Sequence, residues 1–252
     1  MRQRRAQRVV LGTIGVLGEL LLTAGVFVFL YLGWQLWLNN VISANSQTEQ
    51  ALALSDTWAA DYQDGPVVVD VPKAGGPADR GAAPEFSGAP ANAERFATLI
   101  VPRFGADWTK PIAEGVGLED VLNPIGVGHY PGTAFPGQLG NFAVAAHRTS
   151  HGDPFINIHQ LDAGDSIYVE TQDGWYRYVF RAHEYVLPTG VEVLAAVPQF
   201  PDVAPTDRIM TLTSCNPIHG IAERYIAYAS LEGWTPRADG PPAEIAHLYE
   251  AA

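Results

Sequence analysis

Three regimes of polarity follow one another along the chain. From Val9 to Leu38 the sequence VVLGTIGVLGELLLTAGVFVFLYLGWQLWL is apolar, with Glu19 and Gln35 its most polar interruptions. The 19 residues Leu20–Leu38 reach roughly 29 Å as a helix at about 1.5 Å per residue, enough to cross a hydrocarbon core of about 30 Å. That span sets Glu19 near one interface and Trp34 and Trp37 in the aromatic belt at the other. Residues 39–94 form the second regime and predict an extracellular flexible linker. Asn39 to Trp58 is polar with scattered Ala and Leu, compatible with a helix running on. Asp61 to Asn92 is punctuated by Pro66, Pro72, Pro77, Pro84 and Pro90 and has no sustained period. In the third regime, 95–235, short apolar or alternating runs predict strands at Ala97–Val101, Val127–Tyr130, Asn141–Ala146, Ser166–Thr171, Trp175–Leu187, Ile209–Ser214 and Tyr225–Leu231. Gln172-Asp173-Gly174 marks a hairpin, and only Ala106–Val121 reads as short helices. So many short strands in about 140 residues indicate one all-β barrel or sandwich, followed by a Pro/Gly-containing tail, 236–252, that is expected to fray.

Charge divides at the same boundary. Arg2, Arg4, Arg5 and Arg8 make a basic tip over residues 1–8, whereas residues 9–252 carry 11 Lys+Arg against 27 Asp+Glu, a net −16. No Lys or Arg occurs between Arg8 and Lys73, so the positive-inside rule predicts a cytoplasmic N-terminus and an extracellular body. A cleaved secretory signal is the competing reading, but the apolar stretch is longer than the 7–15 residues of a typical signal core. An acidic body argues against nucleic acid as a partner. With Cys215 the only cysteine, intrachain disulfides and multi-Cys metal centres are excluded.

Cys215 closes the run Ile209–Ser214 and is followed by Asn216-Pro217, which stops strand pairing. A thiol at a strand end beside a loop has access; as a nucleophile it needs a base and a positive neighbour. His147 closes the run Asn141–Ala146 and sits at another strand end, while His219 is the rival nearer in sequence. His147 and His151 have the spacing of a zinc helix, but Gly152-Asp153-Pro154 disfavours a helix there, so no metal site is expected at that pair; no cofactor is expected. Arg224 opens the last strong strand. If that strand pairs antiparallel with the Cys215 strand, Arg224 lies at the same sheet edge, where a guanidinium could hold a carbonyl or an oxyanion.

Thr211-Leu212-Thr213-Ser214-Cys215, Arg224 nine residues later, and the upstream Ala145-Ala146-His147-Arg148 together resemble the sortases, membrane-anchored cysteine transpeptidases of Gram-positive bacteria. The stretch His129-Tyr130-Pro131-Gly132-Thr133, then Pro136-Gly137, Gly140-Asn141 and Gly152-Asp153-Pro154-Phe155, looks most like the class E branch of actinobacteria. Ala146 departs from the glycine that many sortases carry before the histidine. The resemblance implies a closed or nearly closed eight-stranded β-barrel with short helices. It implies Cys215 as nucleophile, His147 as general acid/base and Arg224 as substrate and oxyanion clamp. It also implies cleavage of a C-terminal LAxTG-like, or LPxTG-like, sorting signal between Thr and Gly through a thioacyl enzyme. The acceptor implied is an amine of a lipid II-type cell-wall precursor or of a pilin. Tyr130 is the candidate reader of the Ala position, and Thr213, on the strand face of Cys215, the candidate groove-lining residue. Alternatives from other classes are a second kind of cysteine wall enzyme, such as an L,D-transpeptidase, and a membrane-tethered non-catalytic β-domain with Cys215 buried.

Overall fold

The computed structural model describes residues 2–63, 83–86 and 88–249. The chain divides into two units, Met1–Ile42 and Ser43–Ala252. The first is the apolar helix α1, Arg2–Gly33, which runs on through a π-helical turn, Trp34–Leu38. Its segment Leu11–Gly33 is, among the described residues, the one helix long and apolar enough to cross a membrane, and none of it is buried by protein.

The second unit is built on a closed barrel of eight strands: β1 Arg95–Ile100, β2 Thr109–Glu114, β3 Val127–His129, β4 Gly140–Ala146, β5 Ser166–Thr171, β6 Gly174–Val186, β7 Arg208–Asn216 and β8 Glu223–Pro236. Their order around the barrel is β1-β2-β3-β4-β7-β8-β6-β5. The pairs β2/β3 and β4/β7 are parallel and the rest antiparallel. Closure leaves no unpaired edge, and the interior fills with Leu99, Ile112, Phe142, Val169, Tyr178 and Leu212. The β5/β6 hairpin turns at the expected place, with Thr171 paired to Gly174. Gly174 has φ +149°, and a side chain there would collide with Thr235 O of β8.

Three expectations change. The stretch Ala106–Val121 holds strand β2 as well as a helical turn, Leu118–Leu122. Lys110 and Pro111 obscure the strand in sequence, yet β3 pairs with β2 only from Ile112 onward, so Pro111 owes no hydrogen bond on that side. Lys110 is buried because its Nζ donates to Ala44 O and Thr48 Oγ1.

Those acceptors belong to α2, Asn39–Gln63, where a flexible linker was expected. Gln47, Ala51, Ser55 and Trp58 recur every three or four residues and are all buried against the barrel. Three of the four are small or polar, so the docking face carries no apolar stripe. The Pro/Gly-rich remainder of the linker lies mostly outside the described residues. Its end is anchored: Tyr176 donates its hydroxyl to Pro84 O, and Phe86 packs on Phe96 and Phe135.

Nor does the tail fray as far as Tyr249. Ile245 is fully buried with Ile100, Tyr168 and Trp175. Buried Glu170 of β5 accepts hydrogen bonds from Arg237 Nη2 at 2.8 Å, Tyr249 Oη at 2.8 Å and Ser55 Oγ at 2.5 Å. One carboxylate thereby ties α2 and the tail to the same strand.

Candidate active site

Two sheet registers assemble the site. Antiparallel pairing of β7 with β8 sets Cys215 directly opposite Arg224. Parallel pairing of β4 with β7 matches Ala145 to Thr213, and two residues further on the same spacing carries His147 to the level of Cys215. Ser214 Oγ donates to Ala146 O at 2.9 Å and pins the two strand ends together. Cys215 is partly exposed and unpaired, as access by a substrate requires.

His147 Nε2 donates to Asn123 Oδ1 at 2.8 Å, and its ring stacks on His151 with centroids 5.0 Å apart. Burial first, and then the neighbouring His151, hold this imidazole below its ordinary pKa, against an opposing pull from Asp153. A neutral ring near pH 7 is in the form that takes up a proton.

The guanidinium of Arg224 donates to Ile221 O at 3.1 Å and to Glu223 O at 2.9 Å, so in this state it caps the loop between β7 and β8. The buried cation beside the cysteine is Arg148. Its Nη1 lies 3.4 Å from Cys215 O, its Nη2 meets His159 Nδ1, and the group sits over the Tyr225 ring at 5.4 Å. In the sequence Arg148 is visible only as part of the Ala145-Ala146-His147-Arg148 motif. Arg148 adjoins His147, a usable signal, whereas nothing local marks Asn123. His219, the sequence-local rival, lies exposed in the loop after Cys215.

An open groove of about 520 Å³ is lined by Tyr130, Pro131, Thr133, Val191, Leu194 and Pro201, among others. Tyr130 Oη and Thr213 Oγ1 are 3.0 Å apart. Thr213 itself is buried and is not among the residues lining the groove, so it meets the groove only through the Tyr130 hydroxyl. His129 is fully buried behind that wall, with Nδ1 2.6 Å from Glu114 Oε2 and Nε2 2.9 Å from Thr133 Oγ1. Among the described residues no group of three or more His, Cys, Asp or Glu side chains could hold a metal ion.

The sortase domain family model matches residues 99–232, which span the strands that carry all of these groups. The chain belongs to the sortase family. Sortase SrtE2 of Streptomyces coelicolor is 33% identical over 260 residues, covering 96% of this chain and 92% of the relative. Sortase SrtE1 of the same organism is 34% identical over 96% of this chain, which spans only 64% of that relative's length. Among solved structures, SrtA sortase from Actinomyces oris superposes with a TM-score of 0.62 and 38% identity, covering 66% of this chain and 94% of that one. Sortase E1 from S. coelicolor with a tripeptide in the active site gives 0.57 and 37%, covering 62% and 99%. The class E resemblance and the eight-stranded barrel both stand. As a family, sortases are cysteine transpeptidases, and the apolar N-terminal helix is consistent with the membrane anchor of such proteins.

Proposed function

We propose that the protein is a membrane-anchored cysteine transpeptidase that joins sorting-signal-bearing surface proteins to an amine. Cys215 passes its thiol proton to the neutral His147 as Sγ attacks the Thr carbonyl of an LAxTG-like signal; the C–S bond forms and the bond to Gly breaks as His147 hands that proton to the departing amine. An acceptor amine, from a lipid II-type precursor or a pilin, then attacks the thioester. Its proton goes to His147, the new amide forms and Cys215 is released. Arg224 leaves its loop carbonyls to hold the substrate carbonyl as negative charge builds on it. Arg148 keeps a fixed positive charge beside the Cys215 carbonyl throughout.

The observation that carries this reading is the convergence of Cys215, His147 and Arg224 at adjacent ends of β7, β4 and β8. Support for a peptide substrate comes from the open groove beside Tyr130 and from the tripeptide held by the related sortase E1. In this reading Tyr130 reads the second residue of the signal, and the basic tip before α1 favours an extracellular catalytic unit on a single-pass anchor. The test uses the full-length protein in detergent micelles with LAxTG and LPxTG peptides, with and without an amine. Mass spectrometry should find cleavage after Thr and transfer to the amine with wild type, and neither product with Cys215→Ala. Cleavage by Cys215→Ala, or none by wild type, overturns the reading.

A further inference from the structure

The loop that follows His147 is held in an unfavourable backbone. Ser150, His151, Gly152 and Asp153 all have positive φ, at 71°, 50°, 89° and 49°. For the three non-glycine residues such conformations are unfavourable and persist only where the surroundings impose them. The imposing element is α2. Gln47, 1% exposed, donates from Nε2 to His151 O at 2.8 Å. A side chain at Gly152 would strike Gln47 Oε1 at 2.7 Å, and one at Gly126 (φ +110°) would strike the same amide at 2.9 Å. Gln47 is therefore wedged between two loops, and each touches His147: the Gly126 side through Asn123 and the Gly152 side through His151. Gln47 Oε1 is itself buried with no hydrogen-bond partner among the described residues, a cost that an apolar residue would avoid. A residue that served only to dock the helix has no need of that amide.

We propose that Gln47 is a positioning residue for His147, so that the helix adjoining the membrane span belongs to the transpeptidation machinery as well as to the tether. Its amide fixes the His151 carbonyl, His151 fixes the face of the His147 ring, and the wedge sets the spacing from Asn123. The inference rests on the proposed acid/base role of His147. It predicts a kcat effect, because the substrate groove lies on Tyr130 and the segment 191–201, away from Gln47.

The experiment measures kcat, KM and the pH dependence of kcat/KM for full-length Gln47→Ala, Gln47→Met and Ser55→Ala in micelles, with the peptide that wild type turns over best. Ser55→Ala removes an α2-to-barrel hydrogen bond remote from the His147 loop and serves as the control for helix docking. Gln47→Ala should lower kcat about tenfold with KM within about twofold of wild type, the scale expected when a catalytic group is misplaced by a fraction of an ångström. Its acidic limb should move to higher pH as His151 drifts from His147. Gln47→Met keeps the bulk without the donor and should show the same change even if Gln47→Ala folds poorly. Wild-type kcat and pH profile in Gln47→Met, or equal losses in Ser55→Ala, overturn the proposal. The acid/base assignment fails separately, if His147→Ala retains turnover.

Discussion

The strand ends around Cys215 and the β1/β5 flank around Glu170 both gather charged and polar groups on one barrel, and they treat them in opposite ways. On the flank the buried charges are answered. Glu170, fully buried, is met by Arg237, Tyr249 and Ser55, and Trp175 Nε1 donates to Tyr249 Oη at 2.9 Å. At the strand ends a thiol is left partly exposed and a loop is held at four positive φ values. A guanidinium there rests on loop carbonyls that water could replace. Satisfied networks confer stability and rigidity; incompletely paired groups on a rigid frame are what a substrate can complete. Function and stability should therefore separate by mutation.

The sharpest separation is expected from Cys215→Ala, which should lower turnover by about 10³-fold or more while leaving the thermal midpoint within a degree or so of wild type. On the other side, Glu170→Ala strips the partner from buried Arg237 and should cost about 3–5 kcal/mol of stability. Denaturant unfolding would register that loss, with kcat per folded molecule unchanged. A large kcat effect there, or a large stability effect at Cys215, breaks the comparison.

The two regions should also respond to opposite ends of the pH scale. Burial pushes Tyr168 up to about 12 and raises Tyr249 further. A phenol whose folded pKa is raised contributes stability that is present below the unfolded value of about 10 and lost as pH climbs through the folded one. Unfolding free energy should accordingly fall from pH 10 to 12. His147 is shifted the other way. Below about 6.5 the unfolded chain takes up a proton that the folded site resists, so its contribution is lost as pH falls through that value. The acidic limb of kcat/KM should lie below 6.5 for the same reason. A flat stability curve above pH 10, or an acidic limb above 6.5, contradicts these assignments.

The smallest effect expected is that of Tyr130→Phe. It removes the hydroxyl shared with Thr213, leaves that buried side chain unpaired, and should cost about 1 kcal/mol of stability and a few-fold in peptide KM. An unchanged KM would take Tyr130 out of substrate recognition.

Strand legibility followed the completeness of the local signal. Ser166–Thr171 and the aromatic run from Trp175 were readable because β-branched and aromatic residues alternate with turn signals at both ends. Strand β2 was not, since Thr-Lys-Pro-Ile-Ala-Glu carries a charge and a proline that only α2 and a short β3 make tolerable. Helix α2 was legible as a possible continuation but not as a docked element, because its face is Gln47, Ala51, Ser55 and Trp58. In the site, Cys215, His147 and Arg224 stood out by their places at strand ends, and the registers bring those ends together. Asn123, Arg148 and Gln47 act through contacts from 24 to 104 residues apart in sequence, which local patterns do not encode. The tail likewise looked loose by composition, yet Ile245, Arg237 and Tyr249 each find a buried partner on the barrel.

The central claim is that Cys215 carries the acyl group, and the direct measurement is intact-protein mass spectrometry of full-length protein mixed with an LAxTG peptide in the absence of an amine. An adduct is expected on Cys215 equal to the peptide acyl portion ending at Thr, discharged when an amine is added and missing from Cys215→Ala. Release of the Thr-terminated product by wild type, with no adduct at any time point and undiminished cleavage by Cys215→Ala, would contradict it.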